Sequence, residues 1–273
     1  MIRDITIGQY YKADSVIHRL DPRVKLMGTL IFIISLFMGM NIWIYAVVTV
    51  ALAVVIKMSR IPLKFMVRGL KSIVILIIIS AVFNLFLTPG DVLIQIWKLT
   101  ITYQGLKMAI FMVVRLIYLI VGTSLMTLTT TPNNLTDGLE KGLGFLKVIK
   151  VPVHEIAMMM SIALRFIPIL IEETDKIMKA QIARGADLES GNMIQKAKSM
   201  VPILVPLFVS AFRRANDLAM AMEARCYRGG DGRTKMKPLH YTGVDRTAYV
   251  LVIFYVAAVV IIGRCVPFHV WIF

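Results

Sequence analysis

Residues 26–56 read LMGTLIFIISLFMGMNIWIYAVVTVALAVVI, thirty-one positions without one charged side chain. As a single α-helix this run would be about 46 Å long. A hydrocarbon core is only ~30 Å thick, so one helix would have to tilt steeply. Gly39-Met40-Asn41 is the natural break, and the run is expected to fold as two short spans in a tight hairpin. Two further stretches, Ile73–Leu87 and Tyr249–Gly263, are also free of charge. The fold class expected from these runs is an all-α polytopic membrane protein of about five transmembrane helices.

Composition agrees. The chain has 273 residues, 58% hydrophobic and 17% charged, with a net charge of +15. Soluble domains carry roughly 45–50% apolar and about 25% charged residues. A basic excess can mark a nucleic-acid partner, but no nucleic-acid motif or aromatic-basic interleaving is present, and none is expected to bind. Lys and Arg gathered in cytoplasmic loops explain the excess better. Cys226 and Cys265 make neither a disulfide framework nor a metal site. His18, His154, His240 and His269 are scattered, so no metal centre and no bound cofactor is expected. Arg3, Asp4, Lys12 and Asp14 interrupt the first twenty residues, which argues against a cleavable signal.

Outward from the opening run, the N-terminal side carries His18-Arg19-Leu20-Asp21-Pro22-Arg23-Val24-Lys25. Asp21 can cap a helix whose first residue is Pro22. On the other side Lys57, Arg60, Lys64, Arg68 and Lys71 form a basic segment suited to a cytoplasmic loop or the lipid surface. A third span is expected from about Gly69 to Leu87, closed by Thr88-Pro89-Gly90-Asp91. An outer loop over 90–104 and a fourth span from Gly105 to about Thr130 follow. Arg115 lies inside that span. It reads either as a functional site or as a side chain that snorkels or pairs with a backbone carbonyl.

From 131 to 246 the chain changes character. An amphipathic helix is expected from Thr131 to Gly142 or Gly144. A second helix can run from Pro152 or His154 to Arg184, about 50 Å, with Arg165 and Pro168 inside it. Glu172-Glu173 reads as a solvated face that ends its apolar half. A third covers roughly Met193 to Tyr227, with Pro202 and Pro206. Their apolar runs, 156–171 and 201–212, fall short of the ~20 residues a span needs. Making both cross would also place Lys176, Lys179, Arg184, Lys196 and Lys198 outside, against the positive-inside rule. They are therefore expected to be buried against the inner ends of the spans or to lie in the interface. A last span is expected from Thr247 to about Gly263. Residues 1–24 thus form a cytoplasmic segment, 25–130 four spans, 131–246 cytoplasmic helices, and 247–273 the last span with an external C-terminus. On this topology 27 of the 31 Lys and Arg lie inside.

The two long helices end alike. Ala180-Gln181-Ile182-Ala183-Arg184-Gly185 and Ala221-Met222-Glu223-Ala224-Arg225-Cys226 are both Ala-x-x-Ala-Arg. Alanines at i and i+3 share a face and let a partner backbone come close. The arginine projects from the helix tip as a permanently charged fork suited to a carboxylate pocket on another protein. One Ala-Arg-Gly alone is an ordinary solvated helix end; the repetition is what carries weight.

In order and spacing, several motifs together resemble the transmembrane T component of energy-coupling factor (ECF) transporters. They are His18–Lys25, Thr129-Thr130-Thr131-Pro132, Leu164-Arg165-Phe166-Ile167-Pro168 and the two Ala-Arg motifs, with Ala221–Tyr227 the most specific. The resemblance implies a bacterial plasma-membrane subunit, itself not catalytic. It would join a substrate-binding S component to two cytoplasmic ABC-type ATPases, which bind the ATP and Mg²⁺, for uptake of vitamins or other micronutrients. It also implies that Arg184 and Arg225 each seat in a groove of one ATPase, with Ala183, Gly185, Ala224 and Cys226 forming the motifs and Arg165, Pro168 and Glu223 in support. Two long stiff helices suit the passing of ATPase motion into a membrane. The alternatives are a stand-alone secondary transporter or a polytopic membrane enzyme. The first needs mid-membrane carboxylates or broken helices, and the expected spans hold no Asp or Glu. The second needs a nucleophile, base or metal cluster, for which only His154-Glu155 and Glu172-Glu173 are suggestive.

Overall fold

The computed structural model describes residues 10–39, 41–96, 99–186, 192–230, 236 and 238–265. The chain divides into two compact units, one of residues 8–139 with 239–273, the other centred on residues 140–238.

In the first unit the opening run folds as its length demands. Helix α1 (Val16–Arg19) precedes α2 (Pro22–Phe37), and α3 (Ile42–Ser59) follows after a break at 38–41. Asp21 accepts from the Arg23 N–H with Pro22 in the first turn, and Asn41 accepts from the Trp43 N–H. Both caps satisfy donors that a helix start leaves open. Arg60, with φ 56°, ends α3, and α4 (Leu63–Leu87) begins after only two intervening residues. Lys64 and Lys71 therefore stand on a helix rather than in the loop expected for residues 57–71. Pro62 cannot extend α3 but can open the next helix. The axis turns by 63° between Leu63–Lys71 and Ile73–Leu87.

The expected outer loop holds a small antiparallel hairpin, β1 (Val92–Ile96) and β2 (Leu99–Thr102). Helix α5 (Tyr103–Thr129) returns, α6 (Pro132–Gly142) follows, and α9 (Gly243–Cys265) closes the unit. The core has two parts. Leu36, Ile44, Tyr45, Val48 and Val259 are buried in one, and Ile61, Met66, Leu125 and Leu128 in the other.

The motif residues 18–25 and 129–132 meet here. Lys25 Nζ donates to the Thr129 carbonyl at 2.9 Å and to the His18 carbonyl at 3.2 Å. The Asp21 N–H donates to Asp245 Oδ1 at 2.8 Å across 224 residues of chain. Asp245, 1% exposed, also accepts from the Thr242 N–H and hydroxyl. Gly138 packs so closely on Pro22 that an added Cβ would stand 2.8 Å from the proline Cβ. These charged motif residues fasten α2, α5, α6 and α9 together. An unpartnered buried carboxylate would be costly, whereas Asp245 here is fully engaged.

In the second unit a 3-10 turn (Leu143–Ile149) leads to α7 (Val153–Ala183) and then α8 (Met193–Ala224). By length and composition alone, α3, α5, α7 and α9 can each cross a membrane, and the bent α4 would be a fifth. Three details bear on the sequence-based expectation. Helix α2 has only 16 residues, about 24 Å, which is short for a span. Helix α7 is long and apolar enough to cross, because its apolar run continues into neighbouring helical turns. The runs on α7 and α8 are also not buried: Met159, Ile167, Val201, Leu204, Val205, Phe208 and Phe212 are all exposed.

Candidate functional site

Helices α7 and α8 form an antiparallel pair, and among the described residues polar side chains join them. Arg214 donates to Glu173 Oε2 at 3.0 Å. Gln181 Nε2 donates to the Pro202 carbonyl at 3.2 Å. That carbonyl is free because its helical donor would be the N–H of residue 206, which is proline. Beyond the end of α8 the chain passes the start of α7, where an added Cβ at Gly230 would run into the His154 ring. His154 is itself held by Glu140, with Nδ1 to Oε1 2.9 Å. Position numbers rise on α7 as they fall on α8, so the two helix C-termini point in opposite directions.

Both C-termini are closed in the same way. At the first tip, Arg184 is the cap residue and Gly185 is left-handed, φ 87°. The Gly185 N–H donates to the Ile182 carbonyl and the Ala186 N–H to that of Gln181. At the second tip, Arg225 is the cap and Cys226 is left-handed, φ 56°. The Cys226 N–H donates to the Glu223 carbonyl and the Tyr227 N–H to that of Met222. Each is a Schellman closure, and at each the arginine occupies the same cap position. Glycine takes the left-handed conformation freely, whereas a residue with a Cβ is strained by about 1–2 kcal/mol. Cys226 carries that strain and Gly185 does not.

Ala183, Arg184, Gly185, Glu223, Ala224, Arg225 and Cys226 are all exposed. Among the described residues neither tip arginine makes a side-chain hydrogen bond or ion pair. The tips are far apart. Each arginine lies eleven residues beyond its helix's end of the Glu173–Arg214 bridge, about 16 Å in opposite directions. That places them about 33 Å apart along the pair. Arg165 and Pro168 are exposed on α7, nineteen and sixteen residues before Arg184, and so lie well away from the first tip. The antiparallel register sets them nearer the level of the second tip.

Sequence reasoning missed the bridge and took Glu172-Glu173 for a solvated face. Glu173 is instead the residue that braces α8. The signal was present: the two Ala-Arg copies are 41 positions apart, and so are Glu172-Glu173 and Arg213-Arg214. The bridge joins equivalent positions of the duplicated pattern. Arg115 belongs to the first unit. Its Nε donates to Tyr45 Oη at 3.0 Å, and its guanidinium lies 5.1 Å from the Phe37 ring centre.

The family model described as "Cobalt transport protein" matches residues 13–236. A Clostridium kluyveri protein named energy-coupling factor transporter transmembrane protein EcfT is 59% identical over 247 residues, covering 90% of this chain and 92% of its own. The chain belongs to this family. Proteins of the same name from Thermosediminibacter oceani and Bacillus subtilis are 57% and 47% identical, over 249 and 254 residues. They cover 91% and 93% of this chain and 94% and 96% of their own. As a member of the EcfT family this is a membrane-spanning transporter component, and its all-α architecture with four or five helices able to cross agrees.

Proposed function

We propose that this chain is the coupling subunit of an ATP-driven importer of vitamins or other micronutrients in a bacterial cell membrane. Its two arginine tips hold two cytoplasmic ABC-type ATPases, and its apolar helices hold a substrate-binding S component. The observation that carries the reading is the pair of identically capped arginine tips, their side chains without a partner among the described residues, set at opposite ends of one braced helix pair. Two equal sites facing apart suit two equal partners, as a pair of ATPases would be. A guanidinium fixed at a helix cap can meet a carboxylate with two parallel hydrogen bonds, and the carboxylate would come from the ATPase groove. Arginine also complements the negative helix C-terminus.

On this reading the chain itself performs no chemistry. ATP and Mg²⁺ are bound by the ATPases, and substrate choice belongs to the S component. The N-terminus and the α7–α8 pair face the cytoplasm, and the C-terminus faces outward. The exposed apolar side chains of α7 and α8, from Met159 to Phe212, supply the kind of surface that a membrane partner would cover. Methionines among them, such as Met159, Met160, Met200 and Met220, can repack against differently shaped partners.

Affinity-tagged chain purified from its native membrane should bring down two ATPase polypeptides and an S component. Vesicles holding that complex should take up substrate only with ATP, and vesicles holding the chain alone should take up none. Uptake by the chain alone, driven by an ion gradient, would establish a secondary transporter instead.

A further inference from the structure

We propose that Glu140, His154 and Gly230 form a clamp that positions the second arginine tip, so that the motion of the ATPase held at Arg225 passes into α6. The inference rests on the reading of Arg225 as an ATPase contact. All four residues belong to the second unit. Glu140, in the last turn of α6, accepts from His154 Nδ1 at 2.9 Å. A carboxylate only accepts, so Nδ1 carries the ring proton. Both side chains are largely buried, 18% exposed for His154 and 16% for Glu140, and a buried pair is little screened. The opposite edge of the ring, Cδ2 and Nε2, faces Gly230, where an added Cβ would stand 3.1 Å from Nε2 and nearer still to Cδ2. Nε2 is buried and has no hydrogen-bond partner among the described residues. Glycine backbone therefore closes that edge. A ring fixed by a carboxylate on one side has little room to swing away from a side chain on the other.

The clamp holds one tip and not the other. Gly230 lies five residues beyond Arg225. Between them Cys226 (φ 56°) closes the helix and Gly229 (φ 96°) turns the chain back towards α7. An added Cβ at Gly229 would meet nothing within 4 Å, so position 229 needs glycine for its backbone and position 230 needs it for the ring. At the first tip Gly185 also has open space around it. The buried residues of α7, Val153 and Ala157, lie in the turns around His154, thirty residues before Arg184. Arg225 is thus mounted on the buried start of α7 and on the end of α6, whereas Arg184 stands at the far end of α7. The path inward from Arg225 is short: Gly230, His154, Glu140, and then α6, which follows α5 in the chain. The three clamp residues act by positioning the tip and need not touch an ATPase.

The test reads the full-length chain in uncharged detergent by hydrogen exchange, and its complex in vesicles by ATPase retention and by uptake per ATP hydrolysed. H154A removes the bond to Glu140, and G230A pushes the ring off it. Each should speed amide exchange at 225–230 about tenfold, the loss expected for a hydrogen bond to a charged group, and leave 182–186 as in the native chain. Because both break one contact, H154A/G230A should show no more than the larger single effect. Gly144 has open space around it, so the control G144A should exchange like the native chain. In vesicles H154A and G230A should keep both ATPases while uptake per ATP hydrolysed falls. Native exchange at 225–230 in both variants, an equal rise at 182–186, additive effects in the double variant, or undiminished uptake per ATP once the tip is released each overturns the proposal. A native chain that retains no ATPase overturns instead the reading of Arg225, and the exchange data then still measure the clamp. If G230A does not fold, H154A, which removes atoms and adds none, decides.

Discussion

The Glu173–Arg214 bridge makes α7 and α8 one lever, and its removal has a calculable effect. At 3.0 Å two unit charges attract by about 1.4 kcal/mol at the dielectric of water and about 5.5 kcal/mol at an effective value of 20. Both side chains keep solvent contact, 26% exposed for Glu173 and 39% for Arg214. Screening and the ordering of two long side chains remove much of that attraction. The net expected coupling is therefore about 1 kcal/mol, above the fully exposed case and far below the 3–5 kcal/mol of a broken buried pair. In a chain of this length 1 kcal/mol moves the melting temperature by roughly 2 °C. The functional consequence should be larger than the thermal one. E173Q and R214Q should each keep the ATPases bound while transport per ATP hydrolysed falls, because the helices no longer move as a unit. The charge-exchanged double variant E173R/R214E should recover most of the loss. A double-mutant cycle on melting temperature, run beside ATP-driven uptake in vesicles, measures both. A coupling near zero with undiminished uptake in the single variants would refute the lever.

The two closures differ in strain, so their substitutions should differ in sign. C226G should leave stability unchanged or raise it by up to about 1 kcal/mol, and G185V should lower it by about 1–2 kcal/mol; thermal unfolding checks both. His18, held between the Ser15 hydroxyl and the Tyr11 carbonyl, has its pKa lowered from 6.5 chiefly by burial. Its contribution is thus complete above pH 6.5 and lost as pH falls below it, so protease protection of residues 10–25 should fall between pH 7 and pH 5 and H18Q should flatten that dependence. With Cys226 and Cys265 first changed to Ser, a cysteine at Asp91 should react with an impermeant maleimide added outside cells and one at Ser190 should not. Labelling at 190 would make α7 and α8 true spans.

Much of the fold was legible because membrane helices obey one-dimensional rules. An uncharged run of 31 residues is too long for one upright span, and the break falls between Phe37 and Ile42, where Gly39 and Asn41 mark it. Pro22 and Asp21 marked the start of α2, and Gly185 the end of α7. The short connection at Arg60-Ile61-Pro62 was not legible, since basic residues read as loop when they can equally line a helix. The hairpin at 92–102 was hidden because short apolar strands and loops look alike over so few residues. At the site, the tips were visible as a repeat, and the brace between them was not. Glu173 and Arg214 are 41 residues apart, the offset that also separates the Ala-Arg copies, and it becomes a pairing only once the two helices are set antiparallel. The resemblance motifs at 18–25 and 129–132 suggested family membership, but their physical role appeared only with Lys25 against Thr129 and Asp21 against Asp245.

The most direct measurement is retention of the ATPases by the purified chain when its tips are truncated. R184A and R225A should each weaken docking by about 2–5 kcal/mol, since a buried carboxylate in the ATPase groove is left unpaired. At ~1.4 kcal/mol per decade, that is a loss of at least about thirtyfold per tip. R184K and R225K should recover only part of it, for lack of the planar fork. The double variant R184A/R225A should insert, fold and melt like the native protein, yet emerge without ATPases and without ATP-driven uptake. A double variant that keeps both ATPases and full uptake would contradict the assignment of the helix tips as the coupling contacts.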